Sequence, residues 1–265
     1  LMKINHFFHL PIVDSSGKII GLHVADNLQK IEERNECVVI MAGGKGKRLM
    51  PLTKNIPKPM LPIQGTPMLE HIILKLQREG FRDVRISINY LGNMIKDYFG
   101  NGEKFGLHIR YLEEDTPLGT AGILSTLKKE VINYPLLVTN GDVITDIRYN
   151  DIINYAISKK SDGVMAVRAE EWQNPFAVVE SENNRLTGLM EKPIQRNQVN
   201  AGIYCINSRL MNLLELNKYQ DMPDLFLEGL SNKLSLNIYP LHEYWLDVGR
   251  PEDYELANEE RSKHT

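Results

Sequence analysis

The stretch Cys37-Val-Val-Ile-Met-Ala42-Gly-Gly-Lys-Gly-Lys-Arg48-Leu-Met-Pro-Leu-Thr53-Lys-Asn-Ile-Pro-Lys58-Pro-Met-Leu-Pro62 decides how this chain is read. Cys37 to Ala42 is an unbroken apolar run of strand length that ends in Gly43-Gly44. Such a run, without alternation, suits a strand buried on both faces of a parallel sheet. The loop after it has a distinct chemistry. No acidic residue stands between Glu36 and Glu70, while Lys45, Lys47, Arg48, Lys54 and Lys58 all fall in that gap. Gly43, Gly44 and Gly46 let backbone N–H groups come close to a ligand. Pro51, Pro57, Pro59, Pro62 and Pro67 fix φ and lower the cost of ordering a rigid loop. Together these features describe a polyphosphate cradle. Two familiar phosphate loops are excluded by spacing. Gly46-Lys47 is followed by Arg48 where a Walker A loop needs Ser or Thr, and Leu49 stands where the dinucleotide fingerprint needs its third glycine.

Outward from this loop, strands and helices alternate. Met68, Leu69, Ile72, Ile73 and Leu76 recur at helical spacing before Gly80. Val84–Ile88, Ile109–Leu112 and Pro135–Thr139 read as strands, Met94–Phe99 and Ile123–Lys129 as helices. That alternation predicts βαβ units and a parallel sheet covered by helices. Beyond Asp142 the pattern is more mixed. Helices are expected at 152–159, 207–216, 223–233 and 251–261, and strands at 164–168, 176–179, 186–190, 199–206, 236–241 and 244–247. At the other end, Leu10–Asp14 and Ile19–Leu22 read as two short strands around Asp14-Ser-Ser-Gly-Lys18, followed by a polar stretch from Asp26 to Glu36 that reads as a linker helix or as the end of a small unit.

Composition narrows the function classes. The chain has 265 residues, 42% of them hydrophobic and 25% charged, with a formal net charge of −3. This is a folded globular chain rather than a disordered one. A dedicated nucleic-acid binder would be basic, so no nucleic-acid partner is expected. No window approaches 18 uninterrupted apolar residues, so no membrane partner is expected either. Two cysteines, Cys37 and Cys205, cannot form a disulfide framework and suit a cytoplasmic protein.

The loop, with Pro57-Lys-Pro-Met-Leu-Pro62, resembles the signature of the sugar-1-phosphate nucleotidyltransferases. The similarity continues through Leu118-Gly-Thr-Ala-Gly122, Asn140-Gly-Asp142, Glu191-Lys-Pro193, Asn200-Ala-Gly-Ile-Tyr204 and Trp245-Leu-Asp-Val-Gly249, in family order over about residues 37–260. Lys47 departs from the family, which mostly has Thr there. The resemblance implies an α/β fold: a glycosyltransferase-A-like Rossmann core, its central sheet mostly parallel and flanked by helices. It also implies attack by a sugar-1-phosphate oxygen on the α-phosphate of a nucleoside triphosphate, with pyrophosphate leaving. The attacking phosphate has a second pKa of ~6, so no general base is required. Arg48 and Lys58 match positions that contact the triphosphate and activate the leaving group. Asp142 and Asp247 match the ligands of Mg²⁺, a cofactor commonly held by one or two carboxylates plus phosphates. Ala42, Gly43, Gly44 and Gly46, with Leu118, Gly119, Thr120, Ala121 and Gly122, match the nucleotide-binding positions. Gly141, Glu191, Lys192, Asn200 and Gly202 match those around the sugar phosphate.

The wording of residues 118–122 looks most like guanylyltransferases, which implies GTP as donor, with small residues making room for a purine. His9 to Gly21 resembles the closing strand pair of a CBS motif. The expected division is therefore a partial CBS-like segment and linker over 1–35 and a nucleotidyltransferase domain over 36–265. CBS-fused guanylyltransferases of legionaminic acid synthesis look similar, which implies glucosamine-1-phosphate as acceptor. Mannose- or heptose-1-phosphate, or a uridylyl donor, are the alternatives. A catalytically dead nucleotide sensor would be expected to lose an aspartate or the loop arginine, yet Arg48, Lys58, Asp142 and Asp247 are all present.

Overall fold

The structure, a computed structural model, describes residues 9–24, 32–114, 116–130 and 132–261. The chain divides into two compact units, Leu1–Glu33 and Arg34–Thr265. In the first, β1 (His9–Val13) and β2 (Ile19–Val24) form an antiparallel hairpin. The Asp14 carboxylate accepts from the N–H of Ser16 at 2.9 Å and of Lys18 at 3.0 Å, which fixes the turn. Most of the polar stretch at 26–36 lies outside the described residues, and 32–36 are not helical.

The second unit begins with β3 (Val38–Met41), β4 (Pro62–Ile63), β5 (Thr66–Pro67), α1 (Met68–Arg78), β6 (Asp83–Ile88), α2 (Gly92–Phe99) and β7 (His108–Glu113). It continues with α3 (Gly119–Gly122), β8 (Leu136–Asn140), β9 (Val143–Thr145), α4 (Tyr149–Lys159), β10 (Gly163–Gln173), β11 (Val178–Glu182), β12 (Arg185–Met190) and β13 (Ile194–Ile206). It ends with α5 (Ser208–Met211), α6 (Met222–Ser231), β14 (Leu236–Leu241), β15 (Trp245–Asp247) and α7 (Pro251–Arg261). The helix expected over Ile123–Lys129 is present and is of the 3₁₀ type. The helix expected at 207–216 is only α5; just beyond it the Asn212 and Leu214 carbonyls accept from the Lys128 ammonium rather than from a continuing helix.

The central sheet has seven strands in the order β14-β10-β13-β8-β3-β6-β7. It is mixed. Only β13 runs against the rest, pairing antiparallel with β10 and β8, while the other pairings are parallel. The reason is local: 174–193, between β10 and β13, carries a hairpin and no helix, and a parallel return needs a crossover of a dozen or more residues, usually a helix. Val38 and Ile40 face a core built with α1, α2 and α4, whereas Cys37 and Val39 face a second core with α3, α5 and α6. This is why the opening run is apolar on both faces. Burial pushes both free thiols up, Cys37 to about 12, so neither is a ready nucleophile.

From β3 the chain moves to β6 on one side, and β8 returns on the other. Loops leaving β3 and β8 therefore diverge, and their strand ends form the crevice where open α/β sheets bind ligands. A third cluster, with Leu49, Leu61, Ile63, Ile144, Val248 and Ala257 buried, packs the cationic loop against β9, β15 and α7.

Asp162 clamps the far edge of the sheet. Its 3%-exposed carboxylate accepts from Arg209 Nη1 at 3.0 Å, Asn207 Nδ2 at 2.8 Å and the Ser235 N–H at 2.8 Å. Burial alone would raise its pKa, but these donors outweigh it and hold the carboxyl below the usual range. Asp162→Ala is expected to cost about 2–3 kcal/mol at pH 7, since three donors lose their acceptor. A carboxyl depressed in the folded state stabilises above the unfolded pKa of ~3.9 and stops doing so as pH falls through its folded value. In urea melts, the gap between wild type and variant should thus close below about pH 4; a gap independent of pH would contradict this role.

Candidate functional site

A cavity of about 310 Å³ opens at the crevice between the β3 and β8 ends. One end is bounded by Gly43, Gly44, Lys58, Asn140 and Asp142. The other is bounded by Ser87, Glu114, Pro117, Gly119, Thr120 and Tyr219.

The first end is charged. Asp142 leaves β8, and β15 pairs with β9 in the register Val143↔Asp247. The Val248 N–H donates to the Asp142 carbonyl at 3.1 Å. Two short strands thereby bring two aspartates 105 positions apart to one place. The Lys58 ammonium donates to Asp142 Oδ2 and lies 3.9 Å from Asp247 Oδ1. Its side chain is only 9% exposed, so it reaches the crevice from inside the fold. Asp247 Oδ1 is buried and has no hydrogen-bond donor. Burial, and then the charge of Asp142, push the Asp247 carboxyl above its usual range; Lys58 and Arg48 act the other way. Arg48 is exposed, and its guanidinium lies across Gly249, where a Cβ would meet it at 3.4–3.5 Å.

This donor set fits a magnesium ion. Among the described residues no cluster of three or more acidic, histidine or cysteine side chains could cage a metal. Two carboxylates, one with an undonated buried oxygen, match an ion that takes its remaining ligands from phosphates and water.

At the other end the Gly-rich turn is held by a strap, residues 218–221. Ala121 and Gly122 N–H groups both donate to the Gln220 carbonyl at 2.9 Å, and the Gln220 N–H returns to the Leu118 carbonyl at 2.9 Å. Thr120 N–H donates to Asp221 Oδ1 at 2.9 Å. A Cβ on Gly119 would meet the Gln220 carbonyl oxygen at 2.5 Å, and one on Gly122 the Lys218 carbonyl oxygen at 2.3 Å. The small residues therefore make room for the strap, while Gly119 also lines the cavity. Glu114 sits behind the turn. Its Oε1 accepts from Ser87 Oγ at 3.0 Å and its Oε2 from the Leu118 N–H at 2.9 Å.

Of the residues singled out in the sequence, Gly43, Gly44, Lys58, Gly119, Thr120 and Asp142 line the cavity. Arg48 and Asp247 flank it. Ala42, Leu118, Ala121 and Gly122 do not line it, because they are buried or bonded inside the fold. Gly46, at φ +58°, shapes the loop instead: a Cβ there would strike Thr53 Cγ2 at 2.8 Å. Gly141 and Gly202 are likewise structural; a Cβ on Gly202 would meet Asn140 Nδ2 at 2.5 Å, so the β13 bulge packs on the cavity wall from behind. Asn200 is exposed, and its side chain is used on its own strand, by Tyr204 Oη at 2.7 Å and the Gly202 N–H at 3.0 Å. Glu191 and Lys192 are exposed beyond β12 and do not line the cavity. Sequence reasoning missed Glu114, Ser87, Tyr219 and Asn140. The available signal for Ser87, Glu114 and Asn140 was their place at or just after the C-terminal ends of parallel strands.

No helix among the described residues is long and apolar enough to cross a membrane. The mannose-1-phosphate guanyltransferase of Yarrowia lipolytica is 32% identical over 224 residues, covering 82% of this chain and 61% of that protein. The mannose-1-phosphate guanylyltransferase of Mycobacterium tuberculosis is 30% identical over 221 residues, covering 82% and 62%. The chain thus spans about three fifths of the length of these curated relatives. Among solved structures, HddC from Yersinia pseudotuberculosis superposes with a TM-score of 0.66 at 25% identity, covering 85% of this chain and 99% of that one. A second crystal structure of HddC, complexed with GMP-PN, gives 0.65. The model of the nucleotidyl transferase family matches residues 37–264, on the fold and crevice described above, and the chain belongs to that family.

Proposed function

We propose that this chain is a sugar-1-phosphate guanylyltransferase. A phosphate oxygen of the sugar-1-phosphate attacks the α-phosphorus of GTP, the bond from that phosphorus to the bridging oxygen breaks, and GDP-sugar and pyrophosphate result. The observation that carries the choice of base is Glu114, an acceptor-only group that lines the cavity and is pinned there by Ser87 and the Leu118 N–H, with a lone pair left on each oxygen. Guanine alone among the common bases offers adjacent N1–H and N2–H₂ donors, which a carboxylate takes as a bidentate, charge-assisted pair. Uracil and thymine present one N–H between two carbonyl oxygens, and adenine turns the N1 lone pair toward the carboxylate.

At the other end, Lys58 and Arg48 carry the positive charge that the triphosphate needs, and Gly43 and Gly44 leave their backbone open to it. Asp142 and Asp247 would hold Mg²⁺, which supplies charge neutralisation on the phosphates. Catalysis then rests on alignment and preorganised charge. The relatives' names point to mannose-1-phosphate as acceptor. The resemblance of residues 9–21 to the end of a CBS motif points to glucosamine-1-phosphate, which we retain as first choice, with the nucleotidyltransferase domain assigned to 36–265.

Glu114→Gln tests the base assignment. The amide replaces one acceptor by a donor facing guanine's own donors, so kcat/KM for GTP is expected to fall about 10²-fold, as two mismatched buried groups cost ~1–3 kcal/mol each. The value for UTP should hold or rise. Equal losses for both nucleotides would remove Glu114 from base reading.

A further inference from the structure

We propose that Tyr219 is a specificity-determining residue whose ring is the stacking face for the guanine of GTP. The inference rests on reading the cavity as a GTP site. Tyr219 is 60% exposed, yet it lines the cavity on the same side as Thr120. It is not free to swing. Its hydroxyl donates to Asp221 Oδ2 at 2.8 Å, while Asp221 Oδ1 accepts from the N–H of Thr120 at 2.9 Å and its Oγ1 at 3.1 Å. Thr120 Oγ1 in turn accepts from the Met222 N–H at 2.8 Å. The backbone beside the ring is fixed too, since Gln220 exchanges hydrogen bonds with Leu118, Ala121 and Gly122.

An exposed aromatic ring held at both its tip and its backbone has already lost the freedom that binding would otherwise cost it. Among the described residues it packs on no other aromatic ring. Glu114 is at the same end of the cavity and can take the edge of a base. A ring on the cavity wall then supplies what a carboxylate cannot, an apolar surface for the face of the base. Stacking of this kind tolerates any base, but a purine has the larger face to lose. Tyr219 would add affinity for GTP, and Glu114 would choose the edge.

The test is a series of Tyr219→Phe, Tyr219→Leu and Tyr219→Ala, with kcat and KM for GTP and UTP and the Kd of GTP by calorimetry. Tyr219→Ala is expected to raise KM and Kd for GTP about 10- to 100-fold, to change kcat less than about threefold, and to affect UTP less. Tyr219→Phe should stay within about threefold of wild type, and Tyr219→Leu should fall between. If Tyr219→Phe loses as much as Tyr219→Ala, the hydroxyl bond to Asp221 is what matters and the stacking role is overturned. If Tyr219→Ala keeps the wild-type Kd, it is overturned as well, while the guanylyltransferase reading stands on wild-type turnover. A wild type that neither binds nor turns over GTP overturns both.

Discussion

Arg48→Ala is expected to leave the fold intact and to lower kcat by about 10²–10³. The guanidinium is exposed and lies across Gly249, near Asp247, so little packing is lost and the melting temperature should move by no more than about 2 °C. Its position is useful for charge that appears during the reaction. As the bond to the leaving pyrophosphate breaks, negative charge builds on the β-phosphate, and a fixed cation there lowers the barrier. Removal of one such preorganised contact typically costs ~10²–10³ in rate. Steady-state kinetics should show the loss in kcat more than in KM, because the interaction strengthens only in the transition state. Near-wild-type turnover would move the triphosphate away from this loop.

Asp247→Asn is expected to lower turnover by at least ~10² while leaving the protein as stable as before, or more so. The two effects have one cause. Asp247 is half-buried beside Asp142, its Oδ1 lacks a donor, and its carboxyl is pushed up by burial and by that neighbouring charge. An amide of equal size relieves the repulsion, and the β9–β15 ladder uses only the backbone. The same change removes a carboxylate that a magnesium ion would need. Loss of a residue that merely supports a metal ligand costs ~10–100-fold, so loss of a ligand should exceed it. Rates measured over a range of Mg²⁺ concentrations should show a raised requirement in the variant. A variant with ordinary Mg²⁺ dependence and ordinary turnover would take Asp247 out of the metal site.

Much of this was legible in the sequence because the relevant signals are local. The run from Cys37 to Ala42 is apolar on both faces because two cores cover it, and the cationic loop follows at once. The direction of β13 was not read, although the absence of a helix between residues 174 and 193 carried that information. What a glycine gives way to is a different matter. Gly119 and Gly122 approach the carbonyls of Gln220 and Lys218, residues about 100 positions away, and nothing in the spacing of Leu118 to Gly122 distinguishes that neighbour from a bound base. Glu114 was hidden for a related reason: beside Glu113, it looks like part of a solvated acidic stretch until Ser87 and the Leu118 N–H are seen to hold it. Exposed Glu191 and Lys192, outside the cavity, remain assigned to the sugar phosphate by resemblance alone.

The central claim, that this crevice transfers a guanylyl group, is tested most directly by pyrophosphate release with GTP, UTP, dTTP, CTP and ATP. Each should be paired with one good sugar-1-phosphate at saturating Mg²⁺. The carboxylate of Glu114 predicts kcat/KM for GTP above every other nucleotide by about 10²–10³, since a base of the wrong edge leaves buried groups unpaired. A value for UTP or dTTP equal to or above that for GTP would contradict the account.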